Sequence, residues 1–119
     1  MQQLLFVFIG GGLGSLCRHA LSRWIAQVSF PYATFTANVL SCLVLGLVLG
    51  LSMKNTIGVD ARVLLITGFC GGFSTFSTFS AEIYKLITNN QWLMVFIYIM
   101  ASLMFCVFSI FIGIKLFHN

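Results

Sequence analysis

The chain has 119 residues, room for one small domain, yet 60% of them are hydrophobic and only 7% carry a formal charge. A water-soluble domain has about a quarter of its residues charged, so this composition, with 15% aromatics and a mean hydropathy of +1.06, excludes one and points to lipid. The net charge of +4 is not a nucleic-acid footprint, because Arg18, Arg23, Lys54, Arg62, Lys85 and Lys115 are scattered along the chain rather than clustered.

A membrane helix needs about 20 mostly apolar residues. Four such windows are predicted, over residues 4–26, 33–53, 62–87 and 92–117. The gaps hold the polar and turn-forming clusters: Gln27 to Tyr32 with the single Pro31, Lys54-Asn55-Thr56 through Asp60, and Thr88-Asn89-Asn90-Gln91. Residues 1–119 thus read as one four-helix transmembrane domain, an all-α membrane protein.

The first window follows Met1-Gln2-Gln3, which lacks the basic start of a signal peptide, so this segment is expected to stay in the mature protein. Its Gly10, Gly11, Gly12 and Gly14 offer a helix-contact surface. With no strand before them and no Lys-Ser/Thr after them, they do not make a phosphate loop. Arg18 lies deep enough that it must snorkel or find a partner, either at a pore mouth or in a structural role.

In the second window Thr34, Asn38, Ser41 and Cys42 fall on one helical stripe, which must face protein or water. Gly46-x-x-x-Gly50 adds a second packing surface.

The third window departs most from hydrocarbon. It reads Thr67-Gly68-Phe69-Cys70-Gly71-Gly72-Phe73-Ser74-Thr75-Phe76-Ser77-Thr78-Phe79-Ser80-Ala81-Glu82. A glycine costs a helix about 1 kcal/mol relative to alanine, and neighbouring Ser and Thr side chains can replace lost backbone bonds. A mid-membrane helix break is expected near Gly71 to Thr75; the alternative is that the two glycines serve close packing. A break frees carbonyls suited to a monovalent cation, since no carboxylate lies within it. Phe76 and Phe79, three apart, share a helical face: as packing, or as ring edges presented to a small anion.

The fourth window carries a matching stripe of Tyr98, Ser102, Cys106 and Ser109. Cys17, Cys42, Cys70 and Cys106 form no C-x-x-C pair and read as small buried residues rather than disulfides or a zinc site. Asp60 and Glu82 are the only acids, which leaves no paired carboxylates for hydrolysis.

Cytoplasmic ends of membrane helices normally carry the Lys and Arg excess. Here Lys54, Arg62 and Lys115 on one side face Arg18, Arg23 and Lys85 on the other. Either the chain inserts both ways round, or a deep cation such as Arg18 should not be counted. Oppositely oriented copies would pair about a two-fold axis in the membrane plane.

The run from Gly68 to Phe79, Gly10-Gly11-Gly12-Leu13-Gly14-Ser15-Leu16-Cys17-Arg18 and Thr36-Ala37-Asn38-Val39-Leu40 together resemble the small fluoride channels of the Fluc, or CrcB, family. The resemblance covers essentially the whole chain. It implies an antiparallel dual-topology homodimer in the bacterial inner membrane, with two fluoride pathways and a central structural sodium ion. The carbonyls of Gly71 and Ser74 from both protomers would hold the sodium, and Phe76 and Phe79 would form an aromatic box. Asn38 would match the fluoride donor of the second span, Tyr98 and Ser102 the polar track of the fourth, with Thr78 also lining the route. The family usually has Thr at Ser74 and commonly Ser at Cys106. Arg18 and Glu82 fit the pattern as mouth or structural residues. The activity implied is passive, electrogenic fluoride export that confers fluoride resistance. Two alternatives are a proton-coupled multidrug-type exporter, for which Glu82 is the only candidate coupling site, and a silent accessory subunit.

Overall fold

A computed structural model describes residues 1–26 and 28–118; Gln27, read above as part of the first gap, and Asn119 lie outside the described residues. Helix α1 spans Gln2–Trp24 and α2 Tyr32–Met53. The third segment opens with a short α3 (Val59–Arg62), winds as a π-helix over Val63–Cys70, and ends its first half in the single turn of α4 (Gly71–Phe73). It resumes as α5 (Phe76–Thr88), and α6 (Trp92–His118) closes the chain. The four segments Gln2–Trp24, Tyr32–Met53, Val59–Thr88 and Trp92–His118 are long and apolar enough to cross a membrane. Their outward faces carry large apolar side chains, among them Phe8, Leu16, Phe96, Met104 and Phe108, as lipid contact requires.

Asparagine ends two of these helices. Asn55 and Asn90 adopt positive φ (54° and 57°), a conformation asparagine tolerates better than most residues. Beyond them the Thr56 N–H donates to the Leu51 carbonyl at 3.2 Å and the Gln91 N–H to Leu86 at 2.9 Å, which satisfies last-turn carbonyls and turns the chain.

Glycines set the two closest helix contacts. A Cβ on Gly10 would run into the Leu64 carbonyl, one on Gly14 into the Phe69 carbonyl, and one on Gly72 into the Gly11 carbonyl. The first half of the third segment therefore lies backbone to backbone on α1. Gly71 and Gly72 are both helical. Gly72 is the one used for packing, whereas a side chain at Gly71 would meet nothing. The extended backbone comes just after them, at Ser74 (φ −76°, ψ 156°) and Thr75 (φ −150°, ψ 121°).

On the other side of the molecule Gly46 backs onto Ile110, Gly50 onto Ile114 and Gly113 onto Leu47. Helices α2 and α6 thus run parallel and in register. One turn at a time toward their N-termini, Cys42 comes beside Cys106, Asn38 beside Ser102 and Thr34 beside Tyr98. Tyr98 is fully buried, packed among Phe30, Phe35, Phe79, Leu86 and Val95.

The expectation that all four cysteines are buried is corrected. Cys70 is buried, Cys42 and Cys106 are half-buried, and Cys17 is exposed. Cys17 continues the side of α1 that carries Gly10 and Gly14, one turn past Gly14, which already meets Phe73 at the end of the third segment's first half.

Candidate functional site

The site is built around the two extended residues. Leaving the helix at Ser74 strands backbone groups that must find partners, and Asn38 of α2 supplies them. The Thr75 N–H donates to Asn38 Oδ1 at 2.8 Å, and Asn38 Nδ2 donates to the Thr75 carbonyl at 3.3 Å. The side-chain amide thereby substitutes for one backbone pairing in both directions and keeps one N–H in reserve. Thr75 in turn caps α5, its Oγ1 accepting from the Thr78 N–H at 3.1 Å.

These substitutions release carbonyls. In an unbroken helix the Thr75 N–H would serve Gly71 and the Thr78 N–H would serve Ser74. Both donate elsewhere, so the Gly71 and Ser74 carbonyls lose their ladder partners. The Cys70 carbonyl is by contrast well occupied, accepting from the Ser74 N–H (2.9 Å), Ser74 Oγ (2.7 Å) and Ser41 Oγ (3.1 Å). Neutral oxygens on an open face, with no side chain at Gly71, suit a hard monovalent cation such as sodium. Among the described residues no cluster of three or more His, Cys, Asp or Glu offers an alternative metal centre.

Beside the extended residues lies a groove of about 230 Å³, lined by Asn38, Cys42, Ser74, Thr75, Phe76, Phe79, Ser102, Leu103 and Cys106. Phe76 and Phe79 are close neighbours, with ring centroids 5.9 Å apart and planes inclined by 38°. The Ser102 hydroxyl is buried and has no hydrogen-bond partner among the described residues. A buried hydroxyl without a partner costs about 1–3 kcal/mol, which marks it as a group waiting for one.

A second cavity, of about 340 Å³, opens toward α1 and is lined by Ser15, Arg18, His19, Ser22, Thr34, Thr75, Thr78 and Glu82 among others. Thr75 is common to both cavities, so the extended backbone is the partition between them. At the edge of the second cavity Glu82 is clamped: Thr34 Oγ1 donates to Oε1 and the Tyr98 hydroxyl to Oε2, each at 2.7 Å.

The groove therefore gathers Asn38, Phe76, Phe79, Ser74 and Ser102 from the residues singled out in the sequence. Thr78 is not with them and faces the second cavity alongside Arg18 and Glu82. Tyr98 lies beneath Phe79, centroids 4.9 Å apart, with its hydroxyl committed to Glu82. Sequence reasoning passed over Ser15, Arg18, His19 and Ser22 as a set, although their i, i+3, i+4, i+7 spacing is a helical stripe. It also missed Thr34 as a holder of Glu82, for which a single sequence carries no signal.

Residues 5–114 match the family described as CrcB-like protein, Camphor Resistance (CrcB). A protein of Flavobacterium psychrophilum named fluoride-specific ion channel FluC is 42% identical over 106 residues, covering 86% of each chain. A protein of the same name from Gloeothece citriformis is 41% identical over 120 residues, covering 98% of this chain and 97% of its own. One from Geotalea daltonii, again so named, is 36% identical over 118 residues, covering 96% and 95%. With four apolar spans and relatives that match it nearly end to end, this multi-pass membrane protein belongs to the CrcB family.

Proposed function

We propose that the protein is a fluoride-selective channel of the plasma membrane, passing the anion passively and electrogenically out of the cytoplasm. The observation that carries the reading is the groove in which the spare Asn38 N–H, the unpartnered Ser102 hydroxyl and the Phe76 and Phe79 rings converge. The names of the relatives support fluoride as the ion. Fluoride holds its water tightly, so a path for it must replace that water with hydrogen-bond donors; ring edges, weakly positive, add attraction without a full charge that would trap it. The Arg18 cavity concentrates anions at the mouth. The ion then passes Thr75 into the groove. Neutral HF entering from acidic surroundings dissociates inside, and a negative membrane potential drives the ion out, so no coupled energy source is needed. The protein is a channel, not an enzyme.

In this reading the third span is broken mid-membrane, and Gly71 and Ser74 from two antiparallel, dual-topology protomers hold a structural sodium ion through their carbonyls. Support comes from the two released carbonyls and from the tie in flanking cations. The sodium fixes the break; Asn38 fixes Thr75 within each protomer.

A proton-coupled exporter would need a free carboxylate in its transport path, whereas Glu82 is held by Thr34 and Tyr98, each of its oxygens accepting a hydrogen bond. The channel reading is tested by the reversal potential of purified protein in a planar bilayer with fluoride on one side and chloride on the other. A large potential of the sign set by the fluoride gradient supports it. A potential near zero means that the path does not discriminate between the two anions.

A further inference from the structure

The register of α2 and α6 has a chemical consequence at one rung. The glycine contacts at Gly46 and Gly50 draw the two backbones together, and one turn away the same register brings Cys42 beside Cys106 on the lining of one groove. Both thiols are free and half-buried, and both line the 230 Å³ groove next to Asn38 and Phe76. The groove lining contains no Asp or Glu, so a hard divalent cation finds no charged oxygens there. Among the described residues no third His or Cys completes a cluster, which leaves a tetrahedral zinc centre unmet.

Two facing sulfurs match a soft metal that accepts two ligands. We propose that Cys42 and Cys106 form a two-coordinate site for a soft, thiophilic divalent cation, and that the metal seated there closes the groove to ions. The closing of the path rests on the function proposed above; the binding of the metal does not.

The reaction is a ligand exchange without redox change. Each thiol gives up its proton to water as its sulfur bonds the metal, so two S–H bonds are replaced by two S–M bonds and two protons leave. The metal-dithiolate unit formed from a divalent ion carries no net charge. A neutral unit is what a low-dielectric membrane interior accepts, whereas a bare divalent ion would be expelled. Holding two sulfurs in one place also makes release slow, since both bonds must open together.

The probe is Hg²⁺ alone, in nitrate medium free of chloride, applied to protein carrying Cys17→Ser so that the exposed thiol takes no part. Reconstituted protein is treated, washed with a slight excess of glutathione, and divided between metal analysis and fluoride efflux. The expected result is one mercury per protomer surviving the wash and at least tenfold slower efflux than in untreated vesicles. In Cys42→Ser or Cys106→Ser, glutathione strips the metal from the remaining single sulfur, and each treated variant matches its own untreated rate. Cys70→Ser, altering a thiol that donates to the Ser41 carbonyl outside the groove, keeps the metal as its parent does. Mercury retained equally well by either groove variant, or lost from the parent on washing, overturns the paired site. Mercury retained by the pair with efflux unchanged overturns the closure. Vesicles that pass no fluoride before treatment count against the proposed function, while metal retention still decides the pair.

Discussion

Up to Phe73 the third span meets α1 by shape, and from Thr75 onward it meets α2 and α6 through hydrogen bonds. In the first half Gly10, Gly14 and Gly72 strip away side chains so that two backbones touch, a contact that admits nothing else. In the second half Asn38, Thr75, Thr34, Glu82 and Tyr98 pair through amide, hydroxyl and carboxylate groups. A shape contact resists displacement because any added atom collides. A hydrogen-bonded contact leaves donors that an anion can share. The chain thus sets a rigid wall beside a polar lane, and the extended residues Ser74 and Thr75 are where one becomes the other.

The largest effects should come from the wall. Gly14→Leu places a side chain against the Phe69 carbonyl and Phe73 amide, and is expected to abolish folded protein, read as loss of the monodisperse peak in detergent chromatography. A normal yield would mean that the first half is not held by shape. In the lane, Phe76→Ile and Phe79→Ile should each slow fluoride efflux about tenfold or more, equivalent to about 1.4 kcal/mol in barrier, while the elution position stays unchanged. Wild-type rates in both would reduce the rings to packing. Asn38→Ala unpairs the Thr75 N–H and carbonyl together, and a thermal-unfolding series should register a loss of about 1–3 kcal/mol along with reduced flux.

Smaller shifts sharpen the boundary. Thr75→Ala removes the cap of α5 and should cost about 1 kcal/mol in the same unfolding series, most of it recovered by Thr75→Ser. Glu82→Gln keeps an acceptor for Thr34, so efflux without a proton gradient should persist; its complete loss would restore the exporter reading.

How much of this was legible in the sequence differs between wall and lane. The four spans followed from apolar runs, and the Gly-x-x-x-Gly pairs marked the wall, because small residues at helical spacing have few other uses in a membrane. The two polar stripes of α2 and α6 were also visible. That they face each other rung for rung was not, since the register depends on Gly46 meeting Ile110 across tertiary space. The resemblance puts Thr78 on the same route as Phe76 and Phe79; in the structure it lines the Arg18 cavity while the two rings line the groove, a division set by the extended residues before α5. The clamp on Glu82 joins residues from three helices, and its partners carry no local signature.

The proposed function requires this fold to be, by itself, a selective path for fluoride. It is tested most directly by loading liposomes that contain only the purified protein with fluoride or with chloride and following release with ion electrodes, valinomycin carrying the compensating potassium. Rapid fluoride loss with chloride retained is the result expected. Retention of both ions by vesicles shown to contain folded protein, or release of both alike, would contradict it.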